Sequence, residues 1–290
     1  MSVRVVRTTS VAIEPVAGVI TGQGRDVLVQ DDDREEVLRA VTIRAELDER
    51  QQLLVLDTSW DAPTDGLIGR RVASGFRAAL SSLATTPEYR LLRRMMWDLP
   101  ILAQVGGQTF LLDHPGARAD PVIGLGGTDQ CSGWRAGGQM LTIVAEAQGV
   151  LRMPLTPEVT KPWEPRLAAM ATRRARTLTV TDLDPIEVVA TFRDSYADPD
   201  GVERALHEWV VDARLDDDAT RIAEIHAAPG QLPWLECPFA GQSAGRLADL
   251  PFEEIEARVA AEFSGTSTCT HLNDTLRSLT EVPDLLGNLR

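Results

Sequence analysis

The residues best suited to chemistry lie in the last third of the chain: Asp194, His207, Cys269 and His271. An imidazole titrates closest to neutral pH, so a histidine is the default acid–base group. His271 stands at the start of a helical pattern, with Asp274 and Thr275 three and four residues on. There the positive helix end lowers an imidazole pKa; the plainer reading is a ring bonded to a nearby carbonyl. Cys269, Leu272, Leu276 and Leu279 share one face of that helix, so Cys269 reads as a packed small apolar residue. A helix N-terminus can instead make such a thiol a nucleophile. His207 and Trp209 fall on one face of a strand pattern that follows the turn Asp198-Pro199-Asp200-Gly201, with Glu208 on the other face. Asp194, on the preceding strand, is placed to meet His207 across the hairpin. Solvated edge residues are the alternative there.

Other motifs are weaker. Gly241-Gln242-Ser243-Ala244-Gly245 matches the Gly-x-Ser-x-Gly elbow of serine hydrolases, and Ser243 with His271 and Asp249 or Glu253 makes a triad on paper. Pro233 and Pro238 interrupt the strand the elbow needs, so small residues opening a closely packed helix explain it as well. Trp134-Arg135, set among glycines, suits stacking on a ring or holding a carboxylate. His114, His207, His226 and His271 are all the histidines, and no two have the i, i+4 spacing of helical metal ligands. Glu224 and His226 alternate onto one strand face as a conceivable ligand pair. Gly124, Gly126 and Gly127 do not join a strand to a helix, so the dinucleotide fingerprint fails. The Asp31–Asp33 and Asp216–Asp218 runs lack calcium-loop spacing and read as solvated turns. No cofactor and no metal is expected.

The elements that must hold these residues read as a repeated order. Thr8–Ile13 and Asp26–Val29 are short β-favouring runs, and Val37–Leu47 with Leu53–Trp60 form a hairpin around Asp48-Glu49-Arg50. Leu67, Ile68, Val72, Phe76 and Leu80 then recur at helical steps, and a second helix from about Pro87, capped by Thr86, carries Leu91, Leu92, Met95 and Met96. The order returns: Arg176–Val180 echoes Arg7–Val11, Val211–Asp217 echoes Ile43–Glu49, and Leu247, Leu250, Ile255 and Val259 parallel the Leu67 helix. A final helix begins near Thr268. Between the two sets lies a Gly/Pro-rich stretch in which Gln139–Val150 forms one more strand or helix. The expected fold is α+β in two pseudo-symmetric halves, residues 1–105 and 171–290, each a curved antiparallel sheet followed by two packed helices. Residues 106–170 are an insertion or linker, and a ligand pocket is expected between the halves.

Composition narrows the function. The 290 residues are 43% hydrophobic and carry net charge −14, which disfavours nucleic acid and anionic membranes as partners. No run approaches the ~18 consecutive apolar residues of a membrane helix, and Arg7, Glu14 and Pro15 interrupt any signal-peptide core. With three widely spaced cysteines and no Cys-x-x-Cys, a cytoplasmic protein is expected. Lys161 is the sole lysine and sits in a Pro-flanked loop, a poor setting for Schiff-base chemistry.

The segment Gly265-Thr266-Ser267-Thr268-Cys269-Thr270-His271-Leu272 resembles the C-terminal signature of an uncharacterised bacterial domain-of-unknown-function family. Asp98-Leu99-Pro100, Cys131–Gly138, Phe192–Ser195, His207-Glu208-Trp209 and Glu236-Cys237-Pro238 resemble its longer actinobacterial members. Trp209 departs from the tyrosine expected after His-Glu, so no phenol acts there. The resemblance points to positions and brings no reaction. The expectation is a cofactor-independent acid–base enzyme (hydratase, lyase or isomerase) acting on a small apolar or aromatic molecule. His271 and His207 exchange protons, Asp194 orients one of them, and Arg135, Trp134, Trp209 and Cys269 contact the substrate. A non-catalytic small-molecule binder or accessory protein is the alternative class, and homo-oligomer formation is left open.

Overall fold

Strict alternation decides which way each strand faces. In β1 (Arg4–Glu14), Val5, Arg7, Thr9, Val11 and Ile13 are all buried on one face. The other strands are β2 (Val19–Val29), β3 (Glu35–Leu47), β4 (Leu53–Thr58), β5 (Thr172–Thr181), β6 (Glu187–Ala197), β7 (Glu203–Leu215) and β8 (Ile222–Pro229). The structure is a computed structural model and describes residues 2–14, 16–73, 75–83, 89–113, 128–146, 158 and 165–289.

All eight strands form one antiparallel sheet in the order β4-β3-β2-β1-β5-β6-β7-β8. Two separate sheets were expected. Instead the first strands of the two meanders, β1 and β5, pair along their length with Thr8 opposite Thr177, because each would otherwise present an unpaired edge. Register is pinned at both outer hairpins by an aspartate. Asp48 Oδ1 accepts the N–H groups of Arg50 and Gln52 at 2.8 and 2.7 Å, and Asp216 Oδ1 accepts those of Thr220 and Arg221 at 2.7 and 3.0 Å.

Six α-helices are found among the described residues: α1 (Phe76–Ala79), α2 (Arg90–Asp113), α3 (Gln139–Glu146), α4 (Ile255–Glu262), α5 (Thr270–Ser278) and α6 (Val282–Leu286). The single helix expected over Leu67–Leu80 is instead a 3₁₀ turn at Asp65–Leu67, then α1, then a second 3₁₀ turn. Gly69 and Gly75, with φ of 78° and 88°, break the ladder between them. The helix expected over Leu247–Val259 is likewise split, by Asp249 at φ 62°, into the end of a 3₁₀ segment (Cys237–Leu247) and α4. Helix α2 runs across the expected 105/106 boundary, and Gln139–Glu146 forms α3, with residues 147–150 outside the described ones. Thr86, Pro87, His114, Gly124, Gly126, Gly127 and Lys161 lie outside the described residues.

The helices cover the face of the sheet that buries Val5 and Arg7. Helix α2 approaches β2 closely because Gly22 and Gly24 have no side chain there: a Cβ on Gly24 would sit 2.9 Å from Met95 Sδ and 3.0 Å from Leu91 Cδ1. Two apolar cores result. One gathers Val11, Ile20, Val41, Ile43, Phe76 and Met95, and the other Val5, Leu178, Val211, Trp209, Ile255 and Leu276. On β1, Arg7 and Thr9 stand between the residues of the two cores, and the site is built in that gap.

Candidate functional site

The strands aim charged residues into the gap. Arg174 and Arg176 are two apart on β5, on the face that carries Leu178 and Val180, and so point under the helices. Asp194 is their neighbour on β6, and His207 stands opposite Asp194 on β7, at a bulge that shifts the register directly after Asp194. His271 arrives from above, in the first turn of α5.

Asp194 is fully buried, and Arg174 holds it in a two-pronged pair at 2.8 and 2.7 Å. Its Oδ2 also faces both imidazoles, 3.4 Å from His271 Nε2 and 3.8 Å from His207 Nδ1. The rings stack, with centroids 4.0 Å apart and planes 16° from parallel. Phe192 lies 5.7 Å from the His271 ring, and the Arg174 and Arg176 guanidiniums lie 4.8 and 4.9 Å from its ring centre. Arg176 is in turn held by Asp98 of α2 at 2.8 Å on both prongs, and Asp274 of α5 is held by Arg77 at 3.0 and 2.8 Å. Every carboxylate here thus has a guanidinium partner. That satisfies the requirement for burying charge, ties α2 to the sheet and ties α5 to α1.

Burial is the largest influence on both imidazoles. It lowers the His207 pKa to about 4, against the pull of Asp194 and with help from the Arg174 cation. Burial, the neighbouring His207 ring and Arg174 bring His271 well below its ordinary value. Burial pushes the Asp274 carboxyl up, but Arg77, Arg176 and Arg174 outweigh it and hold it below the usual carboxylate range. At neutral pH both rings are therefore uncharged. The two side chains keep 12% and 15% of their surface accessible, so their edges are the open part of an otherwise closed cluster.

One nitrogen of each ring and an oxygen of Asp194 lie within 4.8 Å of one another, a spacing that a divalent ion could bridge. The ring planes do not suit it. An imidazole lone pair lies in the plane of its ring, and two stacked planes 16° apart do not meet within a metal–nitrogen bond length. Shared ligation would need one ring to turn.

Of the residues singled out from the sequence, Asp194, His207 and His271 are brought together, and Cys269 joins them with Sγ 3.8 Å from His271 Nδ1. Trp209 is fully buried, and its indole N–H makes no hydrogen bond of good geometry, only a weak interaction with the Cys269 sulfur. Trp134 packs instead with Met140, Trp234 and Cys237 in a small satellite cluster. Arg135 is exposed and has no bond to the histidines. That segment touches the site through its backbone, by the Ser132 N–H to Thr268 O bond of 2.8 Å. Ser243 lies inside the 3₁₀ segment and donates to Ala240 O at 2.7 Å, without the strand-to-helix turn a serine nucleophile needs. Glu224 and His226 are exposed on the edge strand β8. A groove of about 290 Å³ on the uncovered face of the sheet, lined by Ser10, Thr21, Gln23, Thr42 and Arg173 among others, does not reach the histidines.

Sequence reasoning missed Arg174 and Arg176 as site residues, and named Asp98 only within a family-like segment. The signal was present: Arg174 and Arg176 sit in phase with Leu178 and Val180, so two charges were on a buried face. Residues 171–283 match the sequence model of a family described as a protein of unknown function, DUF2889, a span that holds Arg174, Asp194, His207, Cys269 and His271. No curated protein and no solved structure gives a significant match.

Proposed function

We propose that this protein is a cofactor-independent acid–base enzyme, a hydratase, lyase or isomerase, acting on a small, largely apolar molecule. The observation that carries this reading is the stack of two neutral imidazoles on one buried, arginine-anchored carboxylate. Asp194 faces Nε2 of His271 and Nδ1 of His207. It favours the proton on those near nitrogens and leaves the far nitrogens, His271 Nδ1 and His207 Nε2, with free lone pairs. A far nitrogen takes a proton from substrate carbon or oxygen. The second ring cannot be charged at the same time, because the rings lie 4.0 Å apart and repel. The stack therefore holds one extra proton at most, and a ring with a pKa near 4 gives it back readily as an acid. Arg174 keeps Asp194 from turning during the exchange.

The finer reading of the fold belongs here too: the two β-then-α halves are pseudo-symmetric copies of one duplicated unit. Support comes from the Arg7–Asp26–Arg39 and Arg174–Asp194–His207 rows, offset by 167 or 168 positions, each followed by a bulge just after the aspartate. In this reading Arg39 stands where His207 stands, so the first copy keeps the ionic scaffold and the second carries the proton-transfer group.

The test is a thermal-shift screen of small hydrophobic acids and phenols, followed by incubation of each hit with the protein in D₂O. Proton transfer writes deuterium into the ligand at the acidic carbon, and His271→Ala and His207→Ala remove that exchange while circular dichroism stays unchanged. Ligands that shift the melting temperature but take up no deuterium would make the protein a binder and end the enzymatic reading.

A further inference from the structure

We propose that Cys269 is a thiol nucleophile activated by His271, giving the site a covalent acyl-transfer activity toward activated acyl esters of small apolar acids. This goes beyond the proton-transfer reading and shares His271 with it. Three observations converge. Cys269 is the N-cap of α5, in extended conformation (φ −134°, ψ 129°), at the positive end of the helix. The sulfur lies 3.8 Å from His271 Nδ1, while Nε2 of the same ring lies 3.4 Å from Asp194 Oδ2. Thiol, imidazole and carboxylate thus stand in the order that general-base activation of a nucleophile requires, with Arg174 locking the carboxylate. Finally, the Trp209 indole N–H is fully buried, makes no hydrogen bond of good geometry, and has the Cys269 sulfur as its one weak acceptor. A sulfur is a poor acceptor, and an oxygen carrying developing negative charge beside it would satisfy that donor better.

Burial pushes the Cys269 thiol up to about 11, so the resting group is a neutral thiol beside a neutral imidazole. The Sγ–C bond forms at the acyl carbonyl carbon as the S–H proton passes to His271 Nδ1. The C=O π pair moves onto oxygen, within reach of the Trp209 N–H. When the C=O reforms, the bond to the leaving oxygen or sulfur breaks and His271 returns its proton to that group. Water then adds to the thioester, His271 takes its proton, the C–S bond breaks, the sulfur is reprotonated, and the free acid leaves. The thiol belongs to the same apolar core as Trp209, Leu272 and Leu276, which favours a small apolar acyl group over a charged one.

The experiment uses the full chain with p-nitrophenyl benzoate at neutral pH, followed by p-nitrophenolate release, intact mass and peptide mapping. The expected result is a burst with one benzoyl group mapped to Cys269. The adduct is absent in Cys269→Ala and in Cys269→Ser, the second variant guarding against a misfolded first. The burst is slowed about a hundredfold in His271→Gln, the lower end of what a positioned general base contributes. Cys131→Ala, which removes a more exposed thiol, leaves it unchanged. A benzoyl group on any other residue, no adduct on wild-type protein, or an unchanged burst in His271→Gln overturns the proposal. Deuterium exchange into ligand is a separate readout, so loss of one reading does not carry the other with it.

Discussion

Acidification strains the paired imidazoles before it touches any carboxylate, and the size of the effect follows from the burial of His207. In the unfolded chain its pKa is near 6.5, and in the folded protein about 4. A folded pKa below the unfolded one means that the stability it contributes is complete above about pH 6.5 and is lost as pH falls toward 4. At about pH 5 the unfolded ring is protonated and the folded ring is not, which costs about 2 kcal/mol at ~1.4 kcal/mol per pKa unit. His271 shifts in the same direction and adds to the loss. Asp274 and Glu281, whose folded pKa values are also lowered, contribute stability that persists until pH falls below their unfolded values, so they do not confuse this window. The measurement is urea unfolding at neutral pH and at about pH 5, for wild type and for His207→Gln with His271→Gln. The wild type loses its 2 kcal/mol or more over that interval, and the double variant loses little of it. An equal midpoint for the wild type at both pH values would refute the assignment of buried, neutral rings.

Three further outcomes follow from contacts in the same region. Asp194→Asn removes the counter-charge nearest the Arg174 cation, leaving carboxylates at 3.7 and 3.5 Å, Asp98 and Asp274, and should destabilise by about 3 kcal/mol in denaturant titration. Gly24→Val drives a side chain into Met95 and Leu91, where even a Cβ is at 2.9–3.0 Å, and should cost about 1–3 kcal/mol while leaving the far-UV spectrum unchanged. Arg176→Met with Asp98→Leu removes a buried ion pair as a unit. By calorimetry it should be near neutral or stabilising, whereas either single change should cost about 3 kcal/mol or more.

What could be read from the sequence was what period and local chemistry encode. The strand–hairpin–strand orders, the meeting of Asp194 with His207 and the final helix carrying His271 follow from alternation, turn residues and helical spacing. Joining the two meanders could not be read, since edge pairing of β1 with β5 depends on which edges are left free in three dimensions. The Leu67–Leu80 stretch misleads because its apolar spacing is helical while Gly69 and Gly75 take left-handed backbone. At Arg135 and Trp134, side-chain type alone suggested a substrate contact. Their placement depends on a loop packed by Trp234 and Met140, which no local pattern encodes.

The seam between β1 and β5 has a consequence for biogenesis. During synthesis the first strand emerges with one side satisfied by β2 and the other bare until its partner, some 165 residues later, leaves the ribosome. Over that interval the nascent chain displays a long open template for intermolecular strand addition. Slowing translation between the two meanders should therefore raise the aggregated fraction during expression, and supplying β5 early, by circular permutation, should lower it.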